Sequence, residues 1–125
     1  MRYFCAHAIF YYKLIRREQN SFLVHENVYL ICAETIQTAE ASASKQAETV
    51  ADLNNSHGNL ELNEEKVSYL FAGIRKVIEV YTTTDKQVWQ EISGLELSCS
   101  QFEVDTFEDV SALAQGLEVD VIYLD

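Results

Sequence analysis

Residues 67–82, VSYLFAGIRKVIEVYT, read as one strand whose apolar side chains fall on both faces. Tyr69, Phe71 and Val77 share one parity, and Leu70, Ala72, Ile74, Ile78 and Val80 the other. A strand of this kind belongs in the middle of a sheet with cover on each side. No other segment restricts the fold as much.

The sheet around it is predicted from the same periodicity. Tyr3–Arg16 and Phe22–Ala33 alternate as two long strands separated by the polar turn Arg17–Asn20, a hairpin signal. If Arg16 pairs with Ser21, Cys5 falls opposite Cys32, and His7 shares the face of Cys5. From Thr35 to Leu53 the spacing becomes helical: Thr35 is placed to cap, and Ile36, Ala39, Ala43, Ala47 and Val50 form a stripe of mostly small side chains suited to close packing on a sheet. Asn54–Asn59 ends this helix with residues that tolerate positive φ, and the polar stretch through Lys66 reads as a loop. Beyond the turn-like Thr82–Asp85 and a region around Trp89 that periodicity does not assign, Leu95–Val104 reads as a strand. Thr106 with Asp109 three residues later resembles a capping box, and Val110, Leu113, Ala114 and Leu117 give the buried stripe of a short helix. Val119–Leu124 closes the chain as a strand. The expected architecture is a single α+β domain over residues 1–125, a mainly antiparallel sheet of about five strands with two helices in the order ββαββαβ.

Length and composition are compatible with that architecture. A chain of 125 residues that is 48% apolar and 23% charged can bury a sizeable core without staples. The three cysteines, Cys5, Cys32 and Cys99, lack the spacing of a disulfide framework and read as reduced thiols, which makes the cytoplasm the expected compartment. The opening MRYFCAHAIFYYKLIRR is not read as a signal peptide: it holds His7 and three Tyr, no small-residue cleavage site follows, and Lys13, Arg16 and Arg17 interrupt it too early for a membrane span.

Charge is split along the chain. Residues 1–86 hold eleven acids and nine bases, a net of −2, whereas Gln87–Asp125 holds nine acids and no base and so supplies −9 of the total −11. A field of one sign repels nucleic acid and acidic membranes and attracts cationic partners. Neither nucleic acid nor membrane is therefore an expected partner.

Several segments together resemble a bacterial family of small proteins known as domain of unknown function 4288. Glu26-Asn27-Val28-Tyr29-Leu30-Ile31-Cys32-Ala33 is similar to its strand E-x-x-x-L-I-x-A, with Thr35 and Ala39 at the start of its alanine-rich helix. Phe71-Ala72-Gly73-Ile74 resembles its F-x-G-V element and Gly94-Leu95-Glu96-Leu97-Ser98 its G-x-E-V-x-S element, so the likeness covers roughly residues 3–104. Two departures stand out: Arg2–Ala6 lacks the Trp with which the family often opens, and the acidic C-terminal segment is longer. The resemblance implies a bacterial α+β protein and carries no assigned activity and no functional residues.

Each candidate chemical site has a structural alternative. Cys5, Cys32 and His7 could make a soft metal or redox site, but no C-x-x-C spacing or fourth ligand accompanies them, and packed thiols are the expectation. A Cys–His nucleophilic pair finds no electropositive setting around Cys5 or Cys99. Glu103, Asp105, Glu108 and Asp109 could hold a hard cation, or could simply favour the N-terminal dipole of the second helix. Arg75, mid-strand between apolar neighbours, either binds an anionic ligand or pairs with an acid on a neighbouring strand. The four glycines are never close together, which excludes the usual phosphate-cradling loops. No catalytic residue, cofactor or metal is expected.

Two function classes remain. The first is a non-catalytic interaction module that binds or neutralises a basic protein through Glu103, Asp105, Glu108, Asp109, Glu118 and Asp120. The second is a small-molecule-binding protein or enzyme with a pocket between sheet and helices, using His7, Tyr11, His25 or Arg75. A homodimer is also expected, because two helices on one face of the sheet would leave Phe10, Tyr12, Ile74 and Ile78 in water on the other.

Overall fold

The computed structural model describes residues 1–56, 58, 60–81 and 91–124. Its elements are β1 (Arg2–Leu14), β2 (Phe22–Ala33), α1 (Ile36–Asn55), β3 (Glu61–Leu62), β4 (Glu65–Val80), β5 (Glu96–Val104), α2 (Phe107–Ala114) and β6 (Ile122–Tyr123). The strands form one antiparallel sheet in the order β3-β4-β1-β2-β5-β6, an α+β arrangement. Trp89 and the Thr82–Asp85 turn lie outside the described residues, as do His57 and Asn59 after α1.

The sheet has one strand more than the periodicity predicts. The stretch expected to be loop contains β3, which folds back on β4 through Asn63 and Glu64, both at positive φ (52° and 68°). Two successive residues in that region make the tight turn that suits the twist of a hairpin. Two residues are too few to show alternation. At the chain's other end only Ile122 and Tyr123 of the expected Val119–Leu124 strand pair with β5.

The β1–β2 register also differs. Arg2 stands opposite Ala33 and Tyr11 opposite Val24, so Cys5 faces Leu30, and Cys32 faces Tyr3. The cause is Gln19, whose Oε1 accepts from the Leu14 amide (2.9 Å) while its Nε2 donates to the carbonyls of Tyr12 and Ser21 (both 3.1 Å). One side chain thereby closes a wider connection than the expected turn, and the wider connection shifts every pair.

The central position falls to β1 and β2, not to β4. β4 has β1 on one side, and β3 on the other reaches only Glu65 and Lys66. Against β1, β4 carries two irregularities: His7 pairs Lys76 while Ala8 pairs Ile74, and Ile9 pairs Gly73 while Phe10 pairs Phe71. Arg75 and Ala72 are the extra residues, and a bulge re-aims the side chains around it. Ile74 accordingly joins Tyr69, Phe71 and Val77 on one face instead of opposing them.

The helices lie on opposite faces, and this overturns the expectation of one bare face. α1 buries Ala39, Ala43, Ala47 and Ala51 against Phe4, Phe10, Tyr29 and Tyr69, with Tyr12, Ile74 and Val77 packed beside them. Phe10 is fully buried, and Ile78 remains 48% exposed on the other side. Alanine at four successive turns lets the backbone approach closely, as the spacing predicts; Ile36, by contrast, is 40% exposed at the helix start. Thr35 Oγ1 accepts from the Thr38 amide at 3.1 Å, the expected cap.

α2 covers part of the second face. Val110 and Leu113 pack with Ile9, Tyr11, Phe22, Val24, Phe102 and Val104, whereas Leu117 lies past the helix end and is exposed. Thr106 Oγ1 accepts from the Asp109 amide at 3.1 Å. The C-terminus is a Schellman arrangement: Gly116, at φ +81°, donates to Leu113 O, and Leu117 donates to Ala112 O (3.0 and 2.9 Å). A Cβ on Gly116 would stand 3.0 Å from the Arg75 carbonyl, and one on Gly73 would stand 3.1 Å from Ala114 Cβ. These two contacts seat the end of α2 on the bulged part of β4.

Candidate functional site

Arg75 and Glu26 meet because of the bulge. Arg75 sits on β4 and Glu26 on β2, with β1 between them, and the extra residue in β4 lets the guanidinium reach across. Its Nη1 lies 3.0 and 3.3 Å from the two Glu26 oxygens. His7 of β1 completes the group, with Nδ1 2.6 Å from Glu26 Oε2. The Glu26 side chain is only 12% exposed. The His7 hydrogen bond and the Arg75 charge hold its carboxyl below the usual carboxylate range, against a desolvation effect of the opposite sign. A cavity of about 490 Å³ opens over Glu26 and Arg75, lined also by Phe102, Leu113, Val119 and Val121, with Glu118 and Asp120 on its rim.

The remaining ligand candidates are elsewhere. His25 lies on the α1 face, its Nδ1 3.1 Å from the Tyr69 hydroxyl and its ring edge-on to Tyr12 (centroids 5.3 Å). Burial pushes its pKa down from 6.5 and raises that of Tyr69, so both are held neutral. Beside them Asn27 is buried, at 4% exposure; its Nδ2 donates to the Tyr29 hydroxyl, and its Oδ1 has no hydrogen-bond partner among the described residues. Tyr11 packs edge-on against Phe22 and Phe107 (6.2 and 5.5 Å) and lines a cavity of about 870 Å³ between the β1–β2 connection and the start of α2. Lys13, Arg16, Arg17, Asp105 and Glu108 are among the residues that line it.

Of the four ligand candidates, then, His7 and Arg75 come together, while Tyr11 and His25 stand apart. Glu26 is the residue that the sequence reading missed: an acid on a strand neighbouring β4 was the expected partner of Arg75, whereas Glu26 lies one strand further, on β2 beyond β1. Its only local signal is a carboxylate in the middle of the apolar run FLVHENVYLICA.

The six acids assigned to partner binding lie on β5, the link from β5 to α2, α2 itself and the segment leading to β6. Glu103 pairs in register with Leu23 and Ile122; Asp105, Glu108, Glu118 and Asp120 are exposed, and Asp109 is half-buried. Glu108 and Asp109 occupy the first turn of α2, where the dipole favours them. Among the described residues, no three His, Cys, Asp or Glu side chains are placed to hold a metal ion, and the register separates Cys5 from Cys32. Burial raises the Cys5 thiol pKa, the opposite of what a nucleophile needs.

The ion pairs are unevenly distributed. Arg2 pairs with Glu79, Arg17 with Glu65, and Arg75 with Glu26. Among the described residues, no Lys or Arg pairs with any acid of 91–124. Among the described residues, no helix is long and apolar enough to cross a membrane. Comparison with protein-family models, curated proteins and solved structures finds no match.

Proposed function

We propose that the protein is a non-catalytic interaction module that binds a basic protein partner through the acids of β5, α2 and the segment leading to β6. One observation carries this reading: among the described residues, the arginines that form ion pairs, Arg2, Arg17 and Arg75, pair with acids of the first 86, and no Lys or Arg pairs with an acid of 91–124. An unneutralised field of one sign steers an oppositely charged partner and sets its specificity. The alternative, a small-molecule pocket over Glu26 and Arg75, has the cavity in its favour. Against it, His7 and Arg75 are both engaged by Glu26.

Affinity capture from the native cell with the natural chain and with a Glu118→Lys/Asp120→Lys/Glu108→Lys variant tests the reading. The expected partner is a basic protein that is retained at low salt, released near physiological ionic strength or above, and lost with the variant. Retention indifferent to both salt and charge reversal refutes it.

Self-association is a separate part of the proposal. With Phe10, Tyr12 and Ile74 covered by α1, it narrows to edge-to-edge pairing along β4 beyond Lys66. Sedimentation equilibrium reporting 14.3 kDa at every micromolar concentration would refute it.

A further inference from the structure

β6 covers β5 only at Phe102 and Glu103, with one further bond from the Leu124 amide to the Gln101 carbonyl (3.1 Å). Among the described residues, no strand lies outside β5 from Glu96 to Ser98. The same margin of the sheet exposes large apolar side chains: Leu95 and Leu97 at 48% and 47%, and Ile122, Tyr123 and Leu124 at 64%, 66% and 50%. Glu96 and Glu103 lie on that strand, and Glu118 and Asp120 on the segment that returns to it. A sheet margin that combines open main chain, apolar side chains and unneutralised acids is suited to adding a strand.

We infer that an extended basic segment of the partner, alternating cationic and apolar residues, docks along β5 at Glu96–Ser98 as an additional strand. The inference rests on the acidic-surface reading and specifies its mode. The main chain of β5 supplies the hydrogen bonds, Leu95 and Leu97 contact the apolar side chains, and the carboxylates select the charge. A second copy of this chain is the poorer occupant. Two copies would bring two acidic margins of the same sign together, and the irregularity between Val28 and Tyr29, which leaves Leu97 as the extra residue, breaks the straight register that a symmetric pair needs.

The experiment uses the whole protein and three capped nonapeptides: alternating Lys and Val, its counterpart N-methylated at every amide, and alternating Glu and Val. Binding is followed by fluorescence anisotropy and by amide exchange resolved residue by residue. The Lys-Val peptide is expected to bind at low salt and to slow exchange between Glu96 and Ser98. The N-methylated peptide, which keeps the charge and loses every N–H, is expected to bind at least about tenfold more weakly. The Glu-Val peptide is expected not to bind. Equal binding of the two cationic peptides overturns strand addition and leaves the acidic-surface reading standing. Absence of binding by either at low salt overturns both. Slow exchange at Glu96–Ser98 that grows with protein concentration alone assigns the edge to a second copy and overturns the inference.

Discussion

Glu26 is one carboxylate that holds His7 and Arg75 from two other strands, and its removal strands both. Replacing it with Gln keeps the volume and some hydrogen bonding but leaves Arg75 half-buried without a counter-charge, which is expected to cost about 1–3 kcal/mol at neutral pH in urea denaturation. The pH dependence has a definite sign. A carboxyl held below its ordinary 4.5 in the folded state contributes stability that is complete above that pH and is lost as pH falls through the folded value. Glu26→Gln should therefore flatten that part of the acid limb, to the extent that Glu65 and Glu79, also lowered by their arginines, leave it visible. His25 acts higher in the scale. Its pKa is depressed from 6.5 by burial, so its neutral form stabilises the fold above that pH, and acidification must charge it at a cost. His25→Phe is expected to reduce the loss of stability as pH falls below 6.5, measured as the melting temperature across that range. An unchanged pH profile would refute the burial account.

Among the elements, the seat of α2 on β4 is the contact most sensitive to one methyl group. A Gly73→Ala substitution would place a Cβ against Ala114 on a backbone at φ +155°, with an expected cost of about 1–3 kcal/mol. Ala114→Gly made alone should cost about what an alanine contributes to a helix end, and the double variant should be more stable than the sum of the two losses. A strictly additive cycle would show that the backbone conformation of Gly73, not the contact, sets its cost. The identity and approximate bounds of the long elements were legible in the sequence, because alternation at Tyr3–Arg16 and Phe22–Ala33 and the four-residue spacing of alanines in α1 are local patterns. The caps at Thr35 and Thr106 were legible for the same reason. The bulges at Ala72 and Arg75 were not: a bulge is a mismatch between two strands, and β4 alone still reads as a regular alternation. β3 was hidden in the same way, since its two residues become a strand only by pairing with β4.

At the scale of the molecule, a net charge of −11, with no Lys or Arg ion pair to an acid of 91–124 among the described residues, should make the folded state sensitive to ionic strength. Repulsion among Glu103, Asp105, Glu108, Asp109, Glu118 and Asp120 is screened over about 10 Å at 0.1 M salt. The melting temperature is therefore expected to rise between very low salt and about that concentration, and a fall would mean that the surface pairs of Arg2 and Arg17 outweigh the repulsion. What the sequence by itself determined is what depends on neighbours along the chain: strand and helix positions, the two N-caps, the small-residue face of α1 and the division of charge. Tertiary structure alone decided the β1–β2 register, because Gln19 closes the connection through bonds to both strands. It alone decided that α1 and α2 take opposite faces, so that Phe10, Tyr12 and Ile74 are covered. It also gathered His7, Glu26 and Arg75 from three strands, since a group assembled across a sheet depends on pairings and bulges that no single stretch of chain contains.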